Sequence, residues 1–549
     1  MLKEVRAMSK IFKAGVLAVL ILSAWHLFPQ AEDTFSKIDE GFDLFSKVYK
    51  TVLQEYVKEV DPQEAAYSAI RGMLGSLDPY SQFLSEKASV DQLKIETTGE
   101  FGGLGIRISV IGGVPVVISP IEGTPAYEVG LQAGDKIIKI EGEPTEGKSI
   151  TEIVNTLRGK PGTQVTITIK REGIEEPIDY TITRAVIKIK AVPLATCIGD
   201  VGYIRLTNFS KVAGDEVREA IEKLQVQGIK GLIFDLRRNP GGLLAEACEV
   251  ADKFLEKGKL IVSTRGRTAG QDRRYESEHE PTLDPSVPLV VLVDGGSASA
   301  SEIVAGAIQD HDRGLIVGER TFGKGSVQTV HELGEGAKLK LTTALYYTPS
   351  GRCIHREELG RLVQTDTTEV FYTDNGRPVK GGGGIHPDVV VPGLKPTGFV
   401  QALLKERMFF KFAVHYFAEH PEVSQELQVD DEVLEEFKRY LKEEGFFVGK
   451  EQVEELEKVL EEEGLSDALE DVEHLRKTLQ DTEKLGFESS LPYIKMALKR
   501  EIASKVGGLA AGIKATLRDD PQVKRALELL HDPETYASLI SGGHLEVKR

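Results

Sequence analysis

Apolar and polar positions follow three different rhythms along this chain, and the changes of rhythm divide it. Across 31–98 the pattern is helical. Phe42, Phe45, Val48, Tyr49 and Val52 recur at the spacing of short amphipathic helices, and Gly72-Met-Leu-Gly-Ser-Leu-Asp-Pro-Tyr80 ends the run in turn chemistry. Over 99–186 the texture changes to short strands. Gly103-Leu-Gly-Ile106 leads into Arg107–Val110, and Gly112-Gly113 turns the chain into Val114–Ser119. Val165, Ile167 and Ile169 alternate with polar residues, as do Ile178, Tyr180 and Ile182, and two short helices are predicted at Ala126–Val129 and Ile150–Leu157. From 187 to 395 strand and helix alternate: strands at Tyr203–Leu206, Gly231–Leu236 and Val287–Val293, and helices at Val212–Leu224, through Phe254, and through Ile303, Val304, Ala307 and Ile308. That is α/β texture. The polar stretch 265–285 has no period and predicts a surface loop, and Asn375-Gly376 predicts a hairpin before Gly381–Gly384. From 396 to 549 the pattern is helical again, and no internal repeat stands out.

At 549 residues the chain is long enough for three or four structural units of about 150 residues each. Its formal charge of −18 argues against a nucleic-acid partner, which would require a basic face. Much of that charge is local: 421–480 carries 20 acidic and 7 basic residues interleaved with apolar positions at helical spacing, which reads as solvated helix faces. Cys197, Cys248 and Cys353 are too scattered for a zinc site or a disulfide framework and read as small core residues. Residues 1–30 differ from everything after them. Lys3, Arg6, Lys10 and Lys13 precede the apolar run Ala14–Trp25, the layout of an export signal, either removed or retained as an anchor.

The candidate chemistry is concentrated in two places. Gly296-Ser-Ala-Ser-Ala-Ser-Glu302 places serines among small residues at a helix start, and Gly323-Lys-Gly325 follows, with Lys324 25 positions after Ser299. A serine becomes a nucleophile only when a base takes its proton. An ordinary lysine is charged at pH 7, and neutralising it costs about 4.6 kcal/mol, which burial in an apolar slot can supply. Ser299-Ala-Ser-Glu302 equally fits a capping box. Against that plain reading, an apolar strand feeds the motif, Ala298 and Ala300 leave room for a substrate, and a helix start offers N–H groups to an oxyanion. Gln328, four positions past Lys324, falls on the same face in either helix or strand and is placed to orient the lysine. His311 is the rival base, but it stands at the far end of the same helix, about 18 Å from Ser299. Gly318-x4-Gly-Lys324 imitates a phosphate loop, yet Gly325 stands where that loop needs a hydroxyl. Gly241-Gly242, after a strand, offers either an oxyanion N–H or a tight turn. Gly103–Ile106 before an edge strand suggests a pocket of backbone amides for a terminal carboxylate.

From about residue 40 to 395 these segments resemble the C-terminal processing peptidases, or tail-specific proteases. The likeness rests on Gly72–Tyr80, Gly103–Ile106, Asp235-Leu-Arg-Arg-Asn-Pro-Gly-Gly242, Gly296–Val304, Gly318–Gln328 and Tyr346-Tyr-Thr-Pro-Ser-Gly351. The resemblance implies that Ser299 is the nucleophile, Lys324 the general base and Gln328 its orienting partner, with Ala300 and Gly241 supplying oxyanion N–H groups. It implies a PDZ domain at 99–186 that captures a substrate's C-terminus on Gly103, Leu104, Gly105 and Ile106 and gates a crotonase-like α/β protease core at 187–395. Arg158 matches a position that senses the bound tail in similar enzymes. The pattern departs from the family at Cys353 and at 357–368, where an insertion replaces a shorter loop.

The expected protein is a multidomain α+β chain: a helical N-terminal region (31–98), a PDZ domain, the protease core and a helical C-terminal region (396–549). The expected function is an exported, periplasmic or otherwise extracytoplasmic serine endopeptidase that cuts proteins near their C-terminal ends. Its partners would be protein or peptide substrates with free C-termini and a second copy held through terminal helices, with membrane anchoring and a delivering adaptor protein left open. Neither a metal nor any other cofactor is expected. The alternative is a non-catalytic PDZ adaptor that only binds peptides.

Overall fold

Runs of Val, Ile, Leu and Phe buried on both faces form a parallel sheet, because only such strands tolerate a layer on each side. In a computed structural model describing residues 36–334, 336–356 and 369–542, the sheet runs Leu194–Ile198, Val201–Arg205, Gly231–Asp235, Leu289–Val293, Leu315–Gly318, Val389–Val390 in spatial order. Its first strand is antiparallel and the rest are parallel. Helices Ala213–Val226, Leu244–Asp252 and Ala300–Asp310 pack against one face around Phe234, Phe254 and Val291. The opposite face is covered by the end of the chain, with Leu517, Val523, Ala526, Leu529 and Leu539 against Tyr203, Ile233, Val290, Leu292 and Val317. The last helices therefore belong to the core's layering, whereas Phe399–Ile502 build a core of their own around Phe409, Phe412, Phe437, Ile494 and Leu498.

The PDZ domain has strands Ile106–Ile111, Val114–Pro120, Lys136–Ile140, Gln164–Lys170 and Ile178–Thr183 in that order, with Ile106–Ile111 at an edge. Its helix Ile150–Leu157 opens with a capping box between Ser149 and Glu152 and turns Ile153 and Leu157 into the core. The helical region holds this domain from behind. Lys505 Nζ donates to the Ala133 carbonyl at 2.5 Å and sits 4.9 Å from the Phe417 ring centre, and His415 Nδ1 lies 3.1 Å from Glu172 Oε1.

The chain divides into two units. All of the above lies in one; the other comprises residues up to 86 together with 329–342. In that second unit, Gln82–Leu84 pairs antiparallel with residues 338–340. Asp78 of the Gly72–Tyr80 motif accepts bonds from the N–H groups of Tyr80 and Ser81 and the hydroxyls of Ser81 and Thr342, fixing the turn. Residues 36–55 are helical, and Phe42, Phe45, Val48 and Val52 of the anticipated apolar stripe are exposed.

The stretch 265–285 is not simply a loop: Leu260–Gly266 pairs with Arg273–Glu276, and the turn after it is held by Asp252, which accepts from Ser277, Glu278 and His279. Its polar sequence hid a short, mostly exposed strand. The hairpin at Asn375-Gly376 is present, joining Val370–Tyr372 to Pro378–Lys380. The three cysteines are free, and burial pushes the Cys248 thiol up to about 12, which keeps it inert. The export signal expected at 1–30 and the insertion expected at 357–368 lie outside the described residues, and no helix among the described residues is long and apolar enough to cross a membrane.

Burial pulls the Lys505 amine down to about 8 from an ordinary 10.5. Between those values the unfolded chain holds a proton that the folded chain has released, so this residue makes stability rise with pH. Below about 8 the cost of charging the buried amine is fully present. Thermal melts from pH 8 to 10 should show a steeper rise for the native chain than for Lys505→Met. Parallel curves would mean that Lys505 is solvated in the folded state.

Candidate active site

The parallel strands point their C-terminal ends at one edge of the sheet, where α/β folds collect functional loops. The loops after Asp235, Val293 and Gly318 meet there. Leu289–Val293 delivers the chain to Asp294, whose carboxylate accepts from Arg238 N (2.8 Å) and Gly296 N (2.9 Å). Ser297 Oγ donates to the Leu236 carbonyl at 2.9 Å, while Ala298 N and Ser301 Oγ both bond the Asn239 carbonyl. The serine loop is thus stitched to the loop 236–242 along its length.

Ser299 sits at φ 55°, ψ −112°, a region that costs a non-glycine residue about 1–3 kcal/mol. This turn ends the strand and starts the helix Ala300–Asp310 with the serine at its tip. Glu302 holds it there. Fully buried, its carboxylate accepts from Thr321 Oγ1 (2.5 Å) and Gly323 N (2.7 Å) on one oxygen, and from Ser299 N (2.8 Å) and Lys324 N (2.9 Å) on the other. Burial raises its pKa, and the four bonds work against that rise. The backbone nitrogens of Ser299 and Lys324, sharing one oxygen, cannot be further apart than about 5.7 Å, the two bonds laid end to end. The buried Tyr346 hydroxyl makes a second tie. It lies 2.6 Å from the Lys324 carbonyl and 3.1 Å from the Ser299 carbonyl.

Gly241 packs directly on the serine turn: with φ +98°, a Cβ there would stand 2.7 Å from the Ala298 carbonyl, 2.9 Å from Ala300 N and 3.0 Å from Ser299 Cβ. Gly241, Ser299 and Ala300 are therefore brought together. The Gly241 N–H, however, is engaged by Asn239 Oδ1 at 2.9 Å, a bond that must open before that N–H can face an oxyanion. The Ala300 N–H stands in the first helical turn, where donors have no intrahelical partner. Lys324 is half-buried and leads into the strand Ser326–Gly334. A strand, not a helix, follows the lysine, so the phosphate-loop resemblance fails on structure. Gln328 Nε2 donates to Ser326 Oγ at 3.0 Å, and alternation along the strand puts these two side chains on one face. His311 caps the far end of the Ser299 helix, with Nδ1 2.9 Å from Asp374 and Nε2 2.7 Å from the Leu260 carbonyl, and takes no part in this site.

The segment Gly103–Ile106, anticipated to receive a terminal carboxylate, lies within the PDZ domain. The carbonyls of Leu104 and Gly105 accept from Ala126 N and Ile121 N. A trans peptide points its N–H opposite to its carbonyl, so the Gly105 and Ile106 N–H groups face away from those bonds. Gly105 has φ +82°, and a Cβ there would lie 2.3 Å from Thr124. Leu104 is buried, and Gly103 pairs with Ala185. Arg158 stands beside them, its guanidinium 5.3 Å from the Phe101 ring centre. Glu419, His420 and Glu436, with ligand atoms within 4.8 Å of one another, have metal-ligand spacing, but they lie in the helical region on no element of the serine site.

Three participants escaped the sequence reading. Glu302 was visible as half of a capping box, but not as the link to Lys324. Tyr346 lay inside a recognised motif without a role. Asn239 reads in sequence as an ordinary turn residue before Pro240.

Peptidase family S41 matches residues 200–366, a PDZ domain 116–171, the activating protease CtpB N-terminal domain 24–88, and a probable PDZ-protease C-terminal helical domain 399–530. The chain is 45% identical over 350 residues to a carboxy-terminal-processing protease of Bartonella bacilliformis, covering 62% of this chain and 79% of that one. It is 33% identical over 404 residues to the carboxy-terminal processing protease CtpA of Bacillus subtilis, covering 71% and 85%. Among solved structures, the photosystem II D1 C-terminal processing protease aligns at 30% identity and a TM-score of 0.37, covering 63% of this chain and 86% of that one.

Replacing Glu302 by Gln removes acceptor capacity where four donors converge. Reaction of Ser299 with a serine-directed reagent should fall at least about 100-fold, in line with the loss of a preorganised active-site bond, and unreduced labelling would show that the carboxylate is dispensable. Tyr346→Phe strips the donor from the half-buried Lys324 carbonyl, which should cost about 1 kcal/mol of stability in a denaturant melt, with labelling slowed as well. A variant as stable as the native chain would mean that water replaces the hydroxyl.

Proposed function

The chain belongs to the carboxy-terminal processing proteases of peptidase family S41, serine-type peptidases, and on that premise we propose that it cuts substrates through a Ser299–Lys324 dyad gated by its PDZ domain. The observation that carries this reading is the pair of shared anchors: Glu302 joins the two residues' backbone nitrogens and Tyr346 their carbonyls. A lysine side chain is long enough to reach the hydroxyl across that separation. The neutral Lys324 amine takes the Ser299 proton as Oγ attacks a peptide carbonyl. Ala300 N–H faces the resulting oxyanion, joined by Gly241 N–H once Asn239 releases it. Lys324 then returns the proton to the departing amine. A water, deprotonated by the Lys324 amine, then attacks the acyl-enzyme; the acyl–Oγ bond breaks and Lys324 hands that proton to Ser299 Oγ. Gln328 orients the lysine from the following strand.

The PDZ domain binds the substrate's C-terminus as an added strand along the exposed edge Ile106–Ile111, with the terminal carboxylate on the N–H groups beside Gly105. Arg158, next to that pocket, senses its occupancy. Residues 1–30 export the chain, cleaved or retained as an anchor, and a second copy associates through the terminal helices, for which the exposed Phe42, Phe45 and Val48 offer an apolar face. An adaptor protein that delivers substrates is compatible with this arrangement. Family membership over the Ser299 and Lys324 segments favours this reading over a non-catalytic adaptor.

Hydrolysis of a loosely folded protein with an apolar C-terminus tests it. Ser299→Ala and Lys324→Ala should each lose at least about a thousandfold in turnover, as expected when one member of a catalytic unit is removed, while His311→Ala keeps activity. Equal cleavage by the native chain and Ser299→Ala would remove Ser299 from the reaction.

A further inference from the structure

Behind the loop that carries Asn239 and Gly241 lies a buried charge network that ends in the last part of the chain. Asp235, fully buried at the end of its strand, receives Arg205 at 2.6 Å, Arg237 at 2.6 Å and the Tyr203 hydroxyl at 2.7 Å. Burial alone would raise its pKa, but the two guanidinium groups hold it far below the ordinary carboxylate range. Arg237 also reaches the other way. Its guanidinium donates to Asp520 Oδ2 at 2.6 Å and to Gln522 Oε1 at 2.8 Å. Two aspartates and two arginines balance, with the Arg237 side chain 13% and Asp520 20% exposed.

Arg237 is also fixed through its main chain, where its N–H bonds Asp235 and its carbonyl accepts from Arg205 at 2.5 Å. One residue on, Arg238 is held at φ 55° with its N–H on Asp294. Two residues on, the Asn239 carbonyl receives Ala298 N and Ser301 Oγ from the serine turn. A shift of the Arg237 guanidinium therefore moves the frame that sets Gly241 against Ser299.

We propose that Asp520 is a positioning residue for the catalytic centre: through Arg237 it sets the loop that presents Gly241 to Ser299, making the C-terminal helices part of the working site. The proposal rests on the Ser299 hydrolase reading above. Asp520 divides its two oxygens between two tasks. Oδ1 caps the helix Pro521–Leu530 by accepting from Gln522 N and Val523 N, and Oδ2 holds Arg237. Asparagine caps helices as well as aspartate does. Asp520→Asn therefore preserves the helix start while replacing the charged acceptor that faces Arg237 with an amide N–H, which cannot accept from the guanidinium.

The full-length chain, its Asp520→Asn variant and a Leu529→Ala control are compared for kcat, KM and thermal midpoint on one unfolded protein substrate. Leu529 is in the same helix, buried against the sheet, and its truncation loosens packing without removing a charge or a hydrogen bond from the network. Asp520→Asn should lower kcat at least about 10-fold with KM nearly unchanged, a coupling within the usual range for networked residues. Leu529→Ala should lower the thermal midpoint more and kcat less. Native kcat in Asp520→Asn, or a kcat loss that merely follows the thermal midpoint in both variants, overturns the proposal while leaving Ser299 chemistry standing. Turnover that survives Ser299→Ala overturns the hydrolase reading and this proposal with it.

Discussion

One buried carboxylate holds the candidate site together. Removing a carboxylate from water costs several kcal/mol unless it is fully bonded, and Glu302 meets that condition by collecting donors from two segments, one 19 to 22 residues after it and one three residues before it. The bonds cannot be made unless the serine turn and the lysine loop are both in place. The same carboxylate offsets the backbone strain at Ser299, because the positive φ brings the serine N–H onto Glu302. Strain at the tip, a dry carboxylate beneath it and the glycine packed on its flank are a single arrangement.

A serine–lysine pair places particular demands on such an arrangement. The lysine amine rides on a flexible four-carbon stem and is charged unless kept from water. A histidine base is oriented by a ring and a partner carboxylate; a lysine has neither. Fixing the lysine's main chain is therefore the effective way to place it. Both groups that join Lys324 to Ser299, Glu302 and Tyr346, act on backbone atoms.

What the sequence made legible follows from range. The central strands announced themselves because burial on both faces leaves unbroken runs such as Leu289–Val293 and Gly231–Asp235. The helix Ile150–Leu157 was readable to the residue from its apolar spacing and the Gly159 and Pro161 that follow. Ser299 and Lys324 were recognised through motif and resemblance, and the structure adds the reason for their company. Local polarity misled at 265–285, where a short edge strand carries mostly exposed side chains and so lacks an apolar period. Asn239 was opaque because the bond that matters runs from a side chain to a backbone N–H two residues on, which any Asn-Pro-Gly turn can form. Arg237 and Asp520 are 283 residues apart, and nothing in either neighbourhood names the other.

That long separation changes what the C-terminal region means. A parallel sheet needs both faces covered, and in this chain one face waits for residues beyond 513. Until those helices arrive, Tyr203, Ile233, Val290, Leu292 and Val317 lie open to water, and Arg237 lacks one of its two carboxylates. Non-local contacts of this kind form late, because loop closure must be met before burial rewards it. A helical region that composition alone would set aside as an accessory thus closes the same layer from which the loops of the candidate site emerge.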